Sequence, residues 1–255
     1  MMNLKKTNLL LSLKSVSLEI PLLNETPLTI KSSLINSITG GKFKRKKGKN
    51  YITAIQNINL KVYEGERIGL IGHNGAGKTT FLRLISGIYN ISSGHLTAKK
   101  KIYPMIDKSL LVSTELSAIK AIKAHYLLIN NTLVGFDDFC QNIINFSGLG
   151  EYIYLPIKTY SEGMISRLQF SILTGFSHEC LALDEGFAAG DINFQKKAYD
   201  RLSKFISNSG TLFFASHSNE LLEKFCERGI VFNKGSIVFD GSINEAIKFY
   251  IKKYE

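Results

Sequence analysis

The chain has 255 residues, 44% of them apolar, and a formal net charge of +11. That is enough for one large domain or two lobes with a proper core, and the charge favours an anionic partner: nucleic acid, a membrane surface or a phosphorylated substrate. Cys140, Cys180 and Cys226 are widely separated, lack metal-ligand spacing and fit a reduced compartment, while no apolar run approaches the ~18 residues of a bilayer-spanning helix.

Lys5-Lys6 before Leu9-Leu10-Leu11 is a faint echo of a signal peptide, but the apolar run is short and Lys14 ends it. Residues 9–20 alternate as a strand, with Leu11, Leu13, Val16 and Leu18 as its apolar members. Thr26-Pro27 opens a predicted amphipathic helix carrying Ile30, Leu34, Ile35 and Ile38, which Gly40-Gly41 stops. The run at 42–49 is the densest charge in the chain. A solvated surface loop is its first reading and contact with anionic lipid headgroups its second. A nucleic-acid patch ranks third, since only Phe43 and Tyr51 are near for stacking.

Residues 51–62 read as a strand, Glu64-Gly65 as a turn, and Arg67-Ile68-Gly69-Leu70-Ile71 as a buried strand. Gly72-His73-Asn74-Gly75-Ala76-Gly77-Lys78-Thr79 follows, then a helical pattern with Phe81, Leu82, Leu84, Ile85 and Ile88 on one face. Ser92-Ser93-Gly94 breaks that pattern, and residues 99–104 lead into an irregular segment. Residues 114–129 and 136–146 are helical in period. Residues 176–183 form an apolar strand ending at Asp184-Glu185, and a helix covers 192–206. Residues 211–216 form a strand leading to His217, and 230–239 a hairpin turning at Asn233-Lys234-Gly235. Ser242-Ile243-Asn244-Glu245 is a capping box that opens the last helix.

The stretch from Gly72 to Thr79 fits G-x-x-x-x-G-K-[ST] between a strand and a helix, the context the phosphate loop requires. Polyphosphate needs many donors in a small space, so the backbone must wrap tightly with its N–H groups inward. The helix start adds free N–H groups and the positive end of its dipole. Lys78 is expected on the β- and γ-phosphates and the Thr79 hydroxyl on Mg²⁺, with Thr80 next in the cradle. Asp184 ends an apolar strand on the sheet edge that should carry the loop, where it can hold Mg²⁺. Glu185 is the candidate base for the attacking water, a role worth roughly 10²- to 10⁴-fold. Tyr160-Ser161-Glu162-Gly163-Met164 precedes another helical pattern, so Ser161 and Gly163 form a second candidate anion cradle.

Taken together, the phosphate loop, Ser161-Glu162-Gly163, Asp184-Glu185, the Ala188-Ala189-Gly190-Asp191 loop and His217 make the chain resemble the ATP-binding subunit of ABC transporters, from about residue 9 onward. More narrowly it resembles the branch that exports lipid-linked O-antigen, capsule or teichoic acid, where Tyr-Ser-x-Gly-Met and an N-terminal insertion are typical. The resemblance implies an α/β ABC-type nucleotide-binding domain with a mixed sheet, a core lobe of about 1–110 and 176–255, a helical subdomain of about 111–175 and a basic insertion at 27–50. It implies ATP and Mg²⁺ as ligands, two copies head to tail, and each ATP clamped between one copy's Lys78 loop and the other's Ser161-Glu162-Gly163. In that arrangement His217 senses the γ-phosphate and Asp191 couples the two sites. The implied partners are a separate membrane permease in two copies and, through it, a lipid-linked polysaccharide, with an anionic membrane surface as a further contact. The implied location is the cytoplasmic face of the bacterial inner membrane, with no nucleic acid expected.

The chain departs from the family pattern in three places. Asp107 stands where a glutamine is usual, Glu162 replaces a signature glycine, and Tyr51 is the one candidate for the adenine-stacking aromatic. With the last helix ending near Tyr254, an additional carbohydrate-binding domain is not expected. The competing reading is an ABC-type ATPase acting on ribosomes or nucleic acid, supported by the basic charge. Such proteins usually carry two nucleotide domains or a long coiled-coil insert, and neither is seen.

Overall fold

The computed structural model describes residues 8–21, 42–46, 49–106, 113–184 and 192–254. The helix predicted near residues 26–38, and Asp107, Glu185 and Asp191, lie outside them. The chain divides into two compact units, Met1–Ile106 with Glu179–Glu185 and Ser209–Glu255, and Asp107–His178 with Gly186–Asn208.

The first unit holds two sheets. One is antiparallel with strand order β2-β3-β1-β5, built from β1 (Leu9–Pro21), β2 (Lys42–Lys46), β3 (Lys49–Tyr63) and β5 (Ser93–Ala98). The other has the order β10-β9-β4-β8-β7-β6. Its members are β4 (Arg67–Ile71), β6 (Tyr103–Met105), β7 (Cys180–Asp184), β8 (Thr211–Ala215), β9 (Arg228–Asn233) and β10 (Ser236–Ser242). Pairing is parallel from β9 through β6 and antiparallel only at the β9–β10 hairpin. The parallel strands read as near-continuous apolar runs because both of their faces are covered.

Leu11, Val16 and Leu60 of the first sheet share one core with Ile68, Phe213 and Phe232 of the second. Helix α1 (Lys78–Ile85) buries Phe81, Leu82, Leu84 and Ile85 in that core. It stops at Ser86, and Gly87 turns the chain with φ of 76°. Ile88, expected on the buried face, is therefore beyond the helix and 50% exposed.

Residues 42–46 are not a loop: they pair antiparallel with β3, from Lys42 opposite Thr53 to Lys46 opposite Lys49. This strand is the sheet's edge, where charge is an asset because it discourages pairing with another chain. Two further strands went unread in the sequence. β5 is an edge strand with mostly exposed residues. β6 is three residues long and contains Pro104, which only an edge position tolerates.

The second unit is helical: α2 (Ala118–Asn130), α3 (Phe136–Ser147), α4 (Glu162–Leu173) and α5 (Ile192–Asn208), with short 3₁₀ turns at Gly150–Tyr154 and Ile157–Thr159. Helix α5, which the sequence reading had put in the core lobe, belongs to this unit. Arg201 of α5 donates to the Thr174 hydroxyl at 2.8 Å and the Asn142 side chain at 2.8 Å. Its guanidinium stacks 4.1 Å from the centre of the Phe146 ring. These contacts fasten α5 to α3 and the end of α4.

Helices α6 (Asn219–Phe225) and α7 (Ile243–Tyr254) complete the first unit. The capping box opening α7 is formed as expected. The Ser242 hydroxyl donates to Glu245 Oε2 at 2.7 Å, and the Glu245 N–H returns a bond to that hydroxyl at 3.4 Å. All three cysteines are free and buried, and burial pushes the Cys226 thiol up to about 12. Among the described residues no helix is long and apolar enough to cross a membrane.

Candidate functional site

Strands β4, β7 and β8 run parallel, so their C-terminal ends emerge on one edge of the sheet. The residues after β4, at the end of β7 and after β8 accordingly meet there. His73 to Thr80, Asp184 and His217 line a single cleft of about 380 Å³, closed on another side by Ile20, Ile52 and Ala54.

The loop between β4 and α1 is held by backbone geometry. Gly77, the residue before α1, has φ of 111°, a left-handed conformation that an L side chain rarely adopts. A Cβ there would also come within 3.2 Å of Gly235. The Lys78 side chain is buried, and its ammonium curls back to donate to the carbonyl oxygens of Gly72 and His73. The first N–H groups of α1 have no partner earlier in the helix, which leaves them for an anion. A cation, a glycine-bearing loop and a helix N-terminus converge on one space. That arrangement suits a polyphosphate.

Thr79 Oγ1 donates to Asp184 Oδ2 at 2.5 Å. A hydroxyl and a carboxylate in contact are hard oxygen donors, the set that Mg²⁺ prefers when it keeps several waters. Among the described residues no cluster of three or more His, Cys, Asp or Glu side chains competes as a metal centre. His217 is exposed and reaches the same cleft from the end of β8.

Ser161 caps α4, its hydroxyl accepting from the Met164 N–H at 3.3 Å. Ser161 and Glu162 are exposed, and a Cβ built on Gly163 meets nothing closer than 3.9 Å. The tip of α4 is thus exposed rather than buried in its own unit. Glu162 lies in the first helical turn, where a negative charge complements the helix dipole.

Two residues that support the loop were missed by sequence reasoning. Gly235, with φ of 76°, donates to the Ala76 carbonyl at 2.9 Å and accepts from the Gln56 N–H at 2.8 Å, tying the loop to β3. The Asn233 side chain lies 3.3 Å from His73 Nε2. The sequence shows these two only as a hairpin turn, with no local sign that the turn packs on the loop. Tyr51, the candidate for stacking on a base, is not among the lining residues; its neighbour Ile52 is.

Residues 55–188 match the family described as ABC transporter. The chain belongs to the ABC transporter family. It is 36% identical over 216 residues to the O-antigen export system ATP-binding protein RfbE of Yersinia enterocolitica, covering 84% of this chain and 90% of that one. It is 33% identical over 208 residues to RfbB of Klebsiella pneumoniae, an O-antigen export system ATP-binding protein, covering 82% and 84%. It is 34% identical to the teichoic acids export ATP-binding protein TagH of Bacillus anthracis over 83% of this chain, which amounts to 39% of that longer protein. Among solved structures, an ATP-binding subunit of an ABC transporter matches with a TM-score of 0.67 over 96% of this chain and 95% of its own, at 15% identity. A dimeric ATP-binding cassette in a post-hydrolysis state with ADP and Pi matches with a TM-score of 0.64 at 17% identity, covering 91% and 98%. Both share the α/β fold with a mixed sheet that the sequence led us to expect.

Proposed function

We propose that this chain is the ATP-hydrolysing subunit that powers export of a lipid-linked polysaccharide of the O-antigen, capsule or teichoic acid type through a separate membrane permease. The observation that carries the ATPase half is the single cleft shared by the Lys78 loop, the Thr79–Asp184 pair and His217. The export half is supported by the relatives, named for O-antigen and teichoic acid export and matched over most of this chain.

In this reading the loop N–H groups and Lys78 bind the β- and γ-phosphates, with Lys78 exchanging its Gly72 and His73 carbonyl partners for phosphate oxygens. Thr79 and Asp184 hold Mg²⁺, which when bound neutralises charge on the phosphate oxygens. Glu185, next in the chain after Asp184, takes the proton of the attacking water, and His217 keeps water and γ-phosphate aligned. Two copies associate, each offering the Ser161–Gly163 helix tip to its partner's nucleotide, with Asp191 coupling the two sites. ATP closes the pair, hydrolysis releases it, and the helical unit passes that motion to the permease. The subunit works at the cytoplasmic face of the inner membrane, attached through the permease.

The test is reconstitution with candidate permeases in vesicles carrying lipid-linked glycan. ATP hydrolysis that rises when both permease and glycan are present is the expected outcome. Hydrolysis indifferent to every permease and stimulated by RNA or ribosomes would move the protein to a different function.

A further inference from the structure

The four-stranded sheet carries a second concavity, a groove of about 490 Å³ that shares no lining residue with the nucleotide cleft. Its polar lining is Ser12 and Lys14 of β1, His95 and Thr97 of β5, and Lys99, the residue after β5. The pairing explains why they meet. Ser12 stands opposite Thr97 and Lys14 opposite His95, and alternate residues of a strand share a face. The Lys99 N–H donates to the Leu10 carbonyl at 2.8 Å, so the ladder fixes its backbone too. The groove therefore has a hydroxyl pair at its centre, Lys14 with His95 at one end and Lys99 at the other. Lys61, opposite Ser12 on β3 and exposed, adds positive charge one strand away.

These lysines are used differently from their neighbours. Lys100, next in the chain, is held by Glu64 at 3.3 Å and Glu179 at 3.1 Å. Arg228 is likewise held by Glu66 at 3.0 Å and Asp240 at 2.6 Å. Lys14 and Lys99 are exposed and line a groove whose other polar groups are two hydroxyls and an imidazole. Each of those groups can donate a hydrogen bond, the imidazole in either tautomer.

The donor set also selects the anion. A planar carboxylate is matched best by the fork of an arginine, and the groove has none. Ammonium groups are point charges on flexible stems, so two of them can close on a tetrahedral phosphate from opposite ends. His95 to Lys99 spans about 13 Å of strand, which leaves room for a phosphate over the hydroxyl pair.

We propose that this groove is a phosphate-ester site, with Lys14 and Lys99 closing on the phosphate and Ser12, Thr97 and His95 donating to its oxygens. The phosphate belongs either to a small soluble molecule or to a lipid headgroup, which present the same chemistry to these side chains.

The experiment uses the full chain with a non-hydrolysable ATP analogue at saturation, which keeps the probes out of the phosphate loop. Glycerol 3-phosphate is titrated calorimetrically, and phosphatidylcholine vesicles with and without phosphatidylglycerol are sedimented with the protein. The chains compared are the parent, Lys14→Gln, Lys99→Gln, their double variant, and a Lys44→Gln, Lys46→Gln variant of the basic edge strand, each verified as folded by thermal unfolding. Each single groove variant should weaken binding about fivefold and the double variant about 25-fold, with the edge-strand variant retaining groove binding. A loss read with glycerol 3-phosphate assigns the site to a soluble ester; a loss confined to phosphatidylglycerol vesicles assigns it to a headgroup. Groove variants with parental affinity for both probes, or a parent that binds neither, overturn the proposal. Acetate that displaces the probe as well as inorganic phosphate does overturns it too, since the groove would then not select phosphate.

Discussion

The Thr79 hydroxyl donates to the Asp184 carboxylate at 2.5 Å, joining residues 105 positions apart in sequence. The contact exists because β4 and β7 both run parallel to β8, which delivers the loop and the carboxylate to one edge of the sheet. Asp184→Asn keeps the shape and removes the charge. It should leave nucleotide binding without Mg²⁺ close to the parental value, abolish the gain in affinity on adding Mg²⁺, and lower kcat by about a hundredfold or more. Titrating ATP with and without Mg²⁺ checks this. A variant that still responds fully to Mg²⁺ would place the metal elsewhere.

Gly235 has φ of 76°, and a Cβ there would lie 2.4 Å from the Ala54 carbonyl oxygen. Gly235→Ala is expected to cost about 2 kcal/mol or more, from left-handed strain plus the displaced strand. Because the Gly235 N–H also holds the Ala76 carbonyl, ATP affinity should fall as well. Thermal unfolding and nucleotide titration together measure the two effects. Gly65 is the control: its φ is 83° but no atom lies within 4 Å of its Cβ, so alanine there should cost stability without touching ATP.

Hydrogen bonds from the Ser242 hydroxyl and N–H hold the Glu245 carboxyl below the usual carboxylate range. A carboxylate whose folded-state value is depressed favours folding when ionised. Its contribution is present at neutral pH and is lost as the pH falls through the folded-state value. Glu245 is fully exposed, so the effect is small. Glu245→Gln should be slightly less stable than the parent at neutral pH, and the gap should narrow as the pH falls through the depressed value of the folded carboxyl. Unfolding curves across that window decide it; a gap that widens would contradict the capping role.

What the sequence made legible follows from how local each signal is. The phosphate loop announces itself within eight residues, and its flanking strand and helix follow directly from apolar period. The capping box before α7 was visible for the same reason: both partners are three residues apart. By contrast, Gly235 and Asn233 serve the loop only through a tertiary contact with Ala76 and His73, and a hairpin turn looks the same wherever it packs. Ile20 and Ile52 read as ordinary strand residues because the cross-strand pairing that brings them to the cleft is set over more than thirty residues of chain. The run at 42–46 misled by composition. Charge in sequence suggests a loop, but an edge strand carries charge for its own reasons.

The central claim is that this cleft is one half of a nucleotide site, completed by the tip of α4 from a second copy. Glu185→Gln should bind ATP, cease turnover and accumulate as a dimer. Adding Gly163→Asp to it should abolish that dimer while ATP affinity per chain is retained, since a side chain at Gly163 meets open space in its own unit and a negative charge there would face the partner's triphosphate. The measurement is sedimentation of the single and double variants with and without ATP. Dimer in the single variant only, at equal nucleotide occupancy, is the predicted result; an ATP-dependent dimer undiminished by Gly163→Asp would contradict the account.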